Sequence, residues 1–148
     1  MTQTANRIHD KLLIVDDSET MRQVIRSMLE PEGYTLSEAA DGVEGLDALR
    51  ATTEPLVVLL DYRMPNMDGW ELLKHVEADG EALATHEFIV ITADISTFPS
   101  AYIDMLRRIS IRILAKPFTK EVLSGAVAQA IERLNTPPER PVPLDTDA

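Results

Sequence analysis

The chain of 148 residues has no cysteine and no long hydrophobic run. Without cysteine it can form neither disulfide bonds nor zinc–thiolate sites, and nothing indicates an oxidising compartment. No apolar run approaches the roughly 18 residues that are needed to span a bilayer. Residues 1–10 also lack the apolar stretch of a secretion signal. We therefore expect a cytoplasmic protein without a membrane partner.

Basic residues are scarce as well, because 14 Lys and Arg stand against 25 Asp and Glu, for a formal net charge of −11. A nucleic-acid-binding surface requires a basic patch or stripe, so we predict no nucleic-acid partner. An excess of acids favours solubility. It is also compatible with several carboxylates that converge on a cation, and composition alone leaves both interpretations open.

What is present fits one globular domain, since 45% of the residues are hydrophobic and 26% are charged. Five short apolar runs alternate with amphipathic helical patterns, at 12–15, 34–36, 56–60, 88–91 and 111–114. The first, third and fourth runs are apolar throughout, as in strands that are buried on both faces of a parallel sheet. The second and fifth carry polar residues, which indicates edge strands.

The helical patterns between the runs show apolar residues at a spacing of three and four. The stripes begin at Met21, Val43, Leu72, Tyr102 and Val122, whereas residues 78–87 are interpreted as a surface loop. Strands that alternate with helices predict right-handed crossovers and a (βα)5 α/β domain with helices on both faces of the sheet. We place this domain at 11–135, between an N-terminal lead (1–10) and a Pro-rich acidic tail (136–148) that we predict to be disordered.

Polar residues stand directly at the ends of four apolar runs. Asp16 and Asp17 follow the first, Asp61 follows the third, Thr92 ends the fourth, and Lys116 comes after the fifth. Ligands of open α/β sheets bind outside the carboxyl ends of the strands, so we expect these five groups to converge. Carboxylates that are brought together raise one another's pKa, and Mg²⁺ with its preference for oxygen ligands relieves the repulsion.

The same set predicts phosphoryl chemistry. An aspartate can act as the nucleophile and form an aspartyl phosphate, while a metal, the Lys116 ammonium and the Thr92 hydroxyl hold the phosphoryl oxygens. Each residue alone has an ordinary explanation, for example a helix cap at Asp16 and Asp17, but that explanation must account for all five at once. Away from these positions we interpret His9, His75 and His86 as solvated, and Trp70 as a packing residue or a surface aromatic.

The ordered set of motifs resembles the response-regulator receiver domains of two-component signalling, including stand-alone chemotaxis-type regulators. The matching segments read IVDDS (14–18), EAADG (38–42), LDYRMPNMDG (60–69), ITA (91–93) and KPF (116–118). The similarity extends from about residue 11 to residue 134. It implies a flavodoxin-like, doubly wound parallel sheet of five strands in the order 2-1-3-4-5.

The resemblance also implies a role for each acidic residue. Asp61 is the implied phosphoacceptor, and a phosphohistidine of a sensor histidine kinase or histidine phosphotransfer protein is the implied donor. Asp17 and Asp61 are the implied direct ligands of Mg²⁺, Asp16 acts through water, and the backbone carbonyl of Arg63 is a third protein ligand. The output is expected to be the docking of a downstream protein that the sequence does not identify.

The residues that respond to the phosphoryl group follow the family pattern less closely. The resemblance makes Thr92 the switch hydroxyl and Lys116 the phosphate-sensing cation, the latter joined to Pro117 by a cis peptide. The family's usual switch aromatic stands three residues before the lysine, and Ile113 holds that position here. The coupling between threonine and ring is therefore open. The family's usual docking surface would include Tyr102, Arg112 and Phe118.

Two other functions are compatible with these residues. A haloacid-dehalogenase-type phosphatase also uses an aspartate nucleophile and Mg²⁺, but it requires a second acid two residues after the nucleophile, where this chain has Arg63. A receiver that binds partners without being phosphorylated is the other alternative. The intact set of five groups argues against it, whereas Ile113 keeps it open for the output. We further predict that Arg63 and Asp94 approach one another across the pocket and gate the attacking water.

Overall fold

The computed structural model describes residues 9–136, so that the predicted lead (1–10) and tail (136–148) lie almost entirely outside the described residues. Within that range the chain forms a sheet of five strands: β1 (Lys11–Val15), β2 (Thr35–Ala39), β3 (Val57–Asp61), β4 (Glu87–Thr92) and β5 (Arg112–Ala115). Neighbouring strands are parallel throughout. Their order is β2-β1-β3-β4-β5, which confirms the predicted flavodoxin-like (βα)5 fold.

Six helices connect and flank the strands of the described chain: α1 (Glu19–Leu29), α2 (Gly42–Ala51), α3 (Gly69–Asp79), α4 (Glu81–Thr85), α5 (Ser100–Arg108) and α6 (Lys120–Asn135). Four of these helices have an N-cap residue whose side chain accepts a hydrogen bond from a first-turn N–H, namely Ser18, Asp41, Asp68 and Thr119. Such caps satisfy backbone donors that have no partner within the helix. None of the helices in residues 9–136 has the length and apolar character of a membrane span.

The prediction of a surface loop at 78–87 is wrong. Residues 78 and 79 continue α3, Gly80 interrupts the helix with a φ of 62°, and the single turn of α4 follows. Alanine and glutamate, which have high helix propensity, dominate this segment. A turn of five residues is too short to show an apolar periodicity, which is why the sequence pattern did not reveal it.

The core forms two layers, one on each face of the sheet. Successive residues of β1 pack alternately into the two layers. Leu13 and Val15 belong to one layer, and Leu12 and Ile14 belong to the other. β1 and β3 are buried along nearly their whole length, whereas β2 and β5 expose half or more of their residues. The predicted division into central and edge strands is therefore confirmed.

A glycine-free turn leads from α5 into β5. Ser110 adopts a left-handed conformation with a φ of 59°, and its N–H donates to the carbonyl of Arg107 at 3.2 Å. The N–H of Ile111 donates to the carbonyl of Leu106 at 2.9 Å. These two bonds form a Schellman motif, in which a serine occupies the position that glycine usually holds. The helix end is therefore regular without a glycine, at the cost of strain at Ser110.

His86 is buried and structural, so its interpretation as a solvated residue was wrong. It lies between α4 and β4 with 7% of its surface exposed. Its Nδ1 accepts a hydrogen bond from the backbone N–H of Leu56 at 3.0 Å, and its ring is perpendicular to that of Phe88, with the centroids 6.3 Å apart. Burial lowers the pKa of His86, because the charged imidazolium would lose its hydration.

We expect His86 to contribute stability above pH 6.5 that is lost on acidification. The unfolded chain binds a proton near pH 6.5, whereas the folded protein binds it only at lower pH, so stability falls as the pH drops between these two values. His86→Leu leaves the Leu56 N–H without a partner and should cost about 1–3 kcal/mol at pH 7.5. Urea denaturation at several pH values should show this difference shrinking toward pH 5.

His75→Leu is the matched control for this experiment, because His75 is exposed on α3. It should leave the stability at pH 7.5 close to that of the wild type. A difference between His86→Leu and the wild type that stays constant from pH 5 to pH 7.5 would contradict the role given to the buried imidazole.

Candidate functional site

Three carboxylates meet at the carboxyl ends of β1 and β3. Asp61 ends β3, and Asp16 and Asp17 follow β1, its neighbour in the sheet. One ligand oxygen from each lies within 4.8 Å of the other two. Asp16 is 2% exposed and Asp61 is 9% exposed, whereas Asp17 faces solvent. The predicted acidic residues are therefore brought together in a cluster that is open on one side.

The surroundings of Asp61 act on its pKa in both directions. Burial is the main reason that the pKa of Asp61 is raised to about 6, and the nearby charge of Asp16 adds to the rise. The Lys116 ammonium and a backbone hydrogen bond at Tyr62 act in the opposite direction. A further positive charge beside Asp61 would therefore favour its ionised form.

This donor set fits a hard divalent cation. Its ligand atoms are carboxylate oxygens, and neither histidine nor cysteine belongs to the cluster within the described residues. Mg²⁺ prefers one or two carboxylates together with water and phosphate oxygens, whereas softer transition metals favour nitrogen and sulfur. A magnesium ion in this position would also relieve the repulsion between Asp16 and Asp61.

Lys116 follows β5 and reaches over the two buried acids. Its Nζ lies 3.5 Å from Oδ2 of Asp16 and 3.5 Å from Oδ1 of Asp61. The Lys116–Pro117 peptide is cis, as the resemblance implied, and the N–H of Lys116 donates to the carbonyl of Thr92 at 2.8 Å. Two long contacts leave the ammonium able to bind another anion closely, since normal charge-assisted bonds are about 2.7–2.9 Å.

Thr92 ends β4 and is 5% exposed. Its hydroxyl oxygen accepts a hydrogen bond from the backbone N–H of Asp94 at 3.2 Å. A pocket of about 190 Å³ opens between the strand ends, lined by Asp61, Tyr62, Arg63, Thr92, Ala93, Asp94, Thr97 and Lys116. The predicted nucleophile, hydroxyl and cation therefore face one cavity.

Two glycines hold the loop that leaves Asp61. The N–H of Gly69 donates to the carbonyl of Tyr62 at 2.8 Å, and the N–H of Gly42 donates to the carbonyl of Met67 at 3.1 Å. A Cβ on Gly42 would lie 2.2 Å from the carbonyl oxygen of Met67, and one on Gly69 would lie 2.6 Å from that of Asp61. Only glycine allows this close approach, which positions residues 62–68 beside the acids.

Arg22 on α1 is a site residue that sequence reasoning missed. Its Nη1 donates to the backbone carbonyl of Asp16 at 2.6 Å, and its Nε donates to Glu38 at 2.8 Å. Arg26 binds the second oxygen of Glu38. Glu38 lies inside one of the motifs described above, but no local pattern in the sequence connects it with α1. The arginine thereby holds the segment that presents Asp16 and Asp17.

Arg63 and Asp94 both line the pocket, but no ion pair joins them in the described part of the chain. Asp94 accepts hydrogen bonds from the N–H and hydroxyl of Ser96, at 2.9 and 2.6 Å. These bonds, and after them the charge of Arg63, lower the pKa of Asp94. The two charges therefore approach one another across the pocket without direct contact, because a local turn engages the carboxylate and leaves only a longer-range attraction. Their gating of the attacking water stays a prediction.

The predicted docking surface also needs a correction. Tyr102 is fully buried, because it belongs to the inward stripe of α5 together with Met105 and Leu106. Phe118 is half-buried against the core on the other face of the sheet. Arg112 alone of the three is exposed, and its guanidinium donates to Gln129 on α6 at 2.6 Å.

Comparison with known proteins supports what the geometry indicates. Residues 12–128 match the family described as the response regulator receiver domain. Chemotaxis protein CheY1 of Helicobacter pylori is 37% identical over 114 residues, which cover 76% of this chain and 90% of that protein. Chemotaxis protein CheY of Pseudomonas aeruginosa is 35% identical over 126 residues, 84% and 98% of the two chains. The crystal structure of a CheY-like receiver domain protein from Methanospirillum hungatei superposes with a TM-score of 0.73 at 27% identity, covering 84% of this chain and 95% of that one.

Proposed function

The chain belongs to the response regulator receiver domain family, and on that premise we propose that it accepts a phosphoryl group on Asp61 within a two-component phosphorelay. The observation that carries the proposal is the convergence of four strand ends at one edge of the sheet. There the carboxylate of Asp61 lies beside that of Asp16 and 3.5 Å from the Lys116 ammonium, and Asp61, Thr92 and Lys116 line one pocket. Members of this family are signalling phosphoacceptors and not enzymes in the usual sense.

We propose a phosphohistidine of a sensor histidine kinase or histidine phosphotransfer protein as the donor. An oxygen of Asp61 attacks the phosphorus, and the O–P bond forms as the N–P bond of the phosphohistidine breaks. The imidazole leaves with the electron pair and takes up a proton from solvent. This step requires the ionised carboxylate, which Lys116 favours against the effect of burial.

The acids would hold the magnesium ion that this chemistry requires. Asp17 and Asp61 would bind it directly, Asp16 through water, and the backbone carbonyl of Arg63 would be a further ligand. When bound, Mg²⁺ supplies positive charge that stabilises the oxygens of the transferring phosphoryl group. The exposure of Asp17 leaves the acidic cluster accessible to an ion, and the pocket beside Asp61 gives the donor access to the nucleophile.

Lys116 and Thr92 would bind the two remaining phosphoryl oxygens. The ammonium of Lys116 supplies a positive charge at the phosphoryl group, and the hydroxyl of Thr92 can donate one hydrogen bond while it accepts another from Asp94. Water can enter the same pocket, so we expect the chain to catalyse the hydrolysis of its own aspartyl phosphate. A cytoplasmic location and an unidentified downstream protein complete the proposal.

Phosphorylation of Asp61 is tested by intact mass. When the protein is incubated with Mg²⁺ and a small acyl phosphate, we expect the gain of one phosphoryl group, because the pocket aligns the nucleophile with its cation. Asp61→Asn and removal of the metal by chelation should each abolish the gain. Asp47→Asn is the matched control, since Asp47 is exposed on α2, and it should gain the group like the wild type.

The alternatives have distinct outcomes in this assay. Turnover of a phosphate ester without a stable adduct would favour the phosphatase. The absence of both an adduct and a metal-dependent change would favour a receiver that acts only as an interaction module. Either result would contradict the assignment of Asp61 as a phosphoacceptor.

A further inference from the structure

Tyr102 carries a buried hydroxyl without a hydrogen-bond partner. The side chain is 0% exposed, and its oxygen is the one fully buried side-chain polar atom in residues 9–136 that no other protein atom bonds. A buried hydroxyl that gives up water without gaining another partner destabilises the folded protein. A phenylalanine would fill the same space without this penalty, so packing does not explain the hydroxyl.

The ring of Tyr102 lies among three other aromatic rings beside the pocket. Its centroid is 5.2 Å from that of Tyr62, 4.8 Å from that of Phe98 and 5.6 Å from that of Trp70. Tyr62 and Phe98 also contact each other at 4.6 Å. We call these four residues the aromatic cluster. It connects α5 with the residue after Asp61, with the segment that leaves β4 and with the first turn of α3.

The hydroxyl lies in an acidic environment. Burial, followed by the charges of Asp68, Tyr62 and Asp61, raises the pKa of Tyr102, so the phenol keeps its proton and remains a donor. A phosphoryl group on Asp61 would add negative charge and three acceptor oxygens on this side of the aromatic cluster. The unpartnered hydroxyl of Tyr102 and the carboxylate of Asp61, which would carry the added charge, thus lie in the same region.

The aromatic cluster is also the contact through which α5 meets the pocket. Tyr62 lines the pocket with Asp61 and Thr92, and Tyr62 packs directly on Tyr102. Ile113 on β5 has no polar atom in its side chain, and it is half-buried against the same core layer. A hydrogen bond that depends on the phosphoryl group can therefore form at Tyr102 but not at Ile113.

We propose that Tyr102 transmits the state of Asp61 to α5, because its hydroxyl gains an acceptor when the loops 62–68 and 93–99 close on the phosphoryl group. The inference rests on the phosphorylation proposed above. Tyr102 is a positioning residue in this scheme, since it acts through Tyr62 and Phe98. The exposed face of α5 is then the surface that changes for a partner protein.

Trp70 provides the test, because it is the only tryptophan of the chain and stacks on Tyr102. The full chain is incubated with Mg²⁺ and a small acyl phosphate while intact mass and tryptophan fluorescence are recorded. The wild type should gain one phosphoryl group with a change in fluorescence. Tyr102→Phe should gain the group at a rate within about twofold of the wild type, but with a fluorescence change roughly fivefold smaller.

Tyr34→Phe is the matched control, because it removes a tyrosine hydroxyl from the core on the opposite face of the sheet. It should show the fluorescence change of the wild type. Hydrogen exchange of residues 100–108 gives a second readout that does not depend on Trp70. Phosphorylation should alter the exchange in the wild type and in Tyr34→Phe, and it should leave the exchange nearly unaltered in Tyr102→Phe.

A normal fluorescence response in Tyr102→Phe, or none in a phosphorylated wild type, overturns the role of Tyr102 and leaves Asp61 as the phosphoacceptor. A wild type that gains no phosphoryl group overturns the proposed function and this inference with it. Thermal unfolding of the unphosphorylated proteins adds an independent check. Tyr102→Phe should melt no lower than the wild type, and a fall of about 2–4 °C or more would show that the hydroxyl is already bonded.

Discussion

Gly42→Ala is expected to destabilise the protein by about 3 kcal/mol, because the new methyl group would meet backbone. A Cβ at this position lies 2.2 Å from the carbonyl oxygen of Met67 and 2.9 Å from its carbonyl carbon. Neither can move without breaking the hydrogen bond from the N–H of Gly42 to that carbonyl. Urea denaturation should show the loss, and the affinity for Mg²⁺ should fall because the loop after Asp61 shifts.

Gly125→Ala is the matched control, and its effect should have the opposite sign. Gly125 lies within α6, and a Cβ built there meets no atom within 4 Å. Alanine favours the helix over glycine by about 0.5–1 kcal/mol, so this variant should be more stable than the wild type by roughly that amount. Equal effects of the two substitutions would contradict the close approach of α2 to the loop.

Asp61→Asn is expected to stabilise the metal-free protein by about 2 kcal/mol at pH 7. The pKa of Asp61 is raised from 3.8 to about 6, first by burial and then by the charge of Asp16. An amide of the same size removes the buried charge, although it also gives up the contact with Lys116. Thermal or urea unfolding in the presence of a chelator measures the difference.

The pH dependence of this difference has a defined sign. Between pH 3.8 and about 6 the folded protein binds the proton of Asp61 more tightly than the unfolded chain. The wild type therefore loses stability relative to Asp61→Asn as the pH rises through this range, and the full difference is present above about pH 6. Near pH 4 the two proteins should be equally stable.

Two further measurements serve as controls for this prediction. Asp47→Asn removes an exposed charge and should change stability by less than about 0.5 kcal/mol. Magnesium should stabilise the wild type more than Asp61→Asn, because a ligand that binds only the folded state adds more stability the more tightly it binds. A variant that is less stable than the wild type at pH 7 without metal would contradict the raised pKa of Asp61.

The positions of the strands could be predicted from the sequence because burial on both faces leaves a continuous apolar run. The runs at 12–15, 56–60 and 88–91 became the three central strands, and the polar residues at 34–36 and 111–114 marked the edges. The single turn of α4 was missed because it is shorter than two periods of a helix.

The members of the site could be predicted for a related reason, since each stands next to the strand that carries it. The contacts that position the site residues could not be predicted from the sequence. Arg22 donates to the carbonyl of Asp16, and the N–H of Gly42 donates to the carbonyl of Met67. Away from the site, the N–H of Leu56 likewise donates to His86, 30 residues along the chain. No local pattern distinguishes these residues from others of their kind, because their partners come from a different part of the chain.

The sequence by itself determined which groups can carry the chemistry, because the residue type at each strand end is a local property and parallel strands end at one edge. Only the tertiary structure decided how those groups behave. The raised pKa of Asp61, the shared contacts of Lys116 and the unpaired hydroxyl of Tyr102 depend on burial and on distances between distant segments. Burial and distance are set by the packing of the whole fold, so they exist only once the chain has folded.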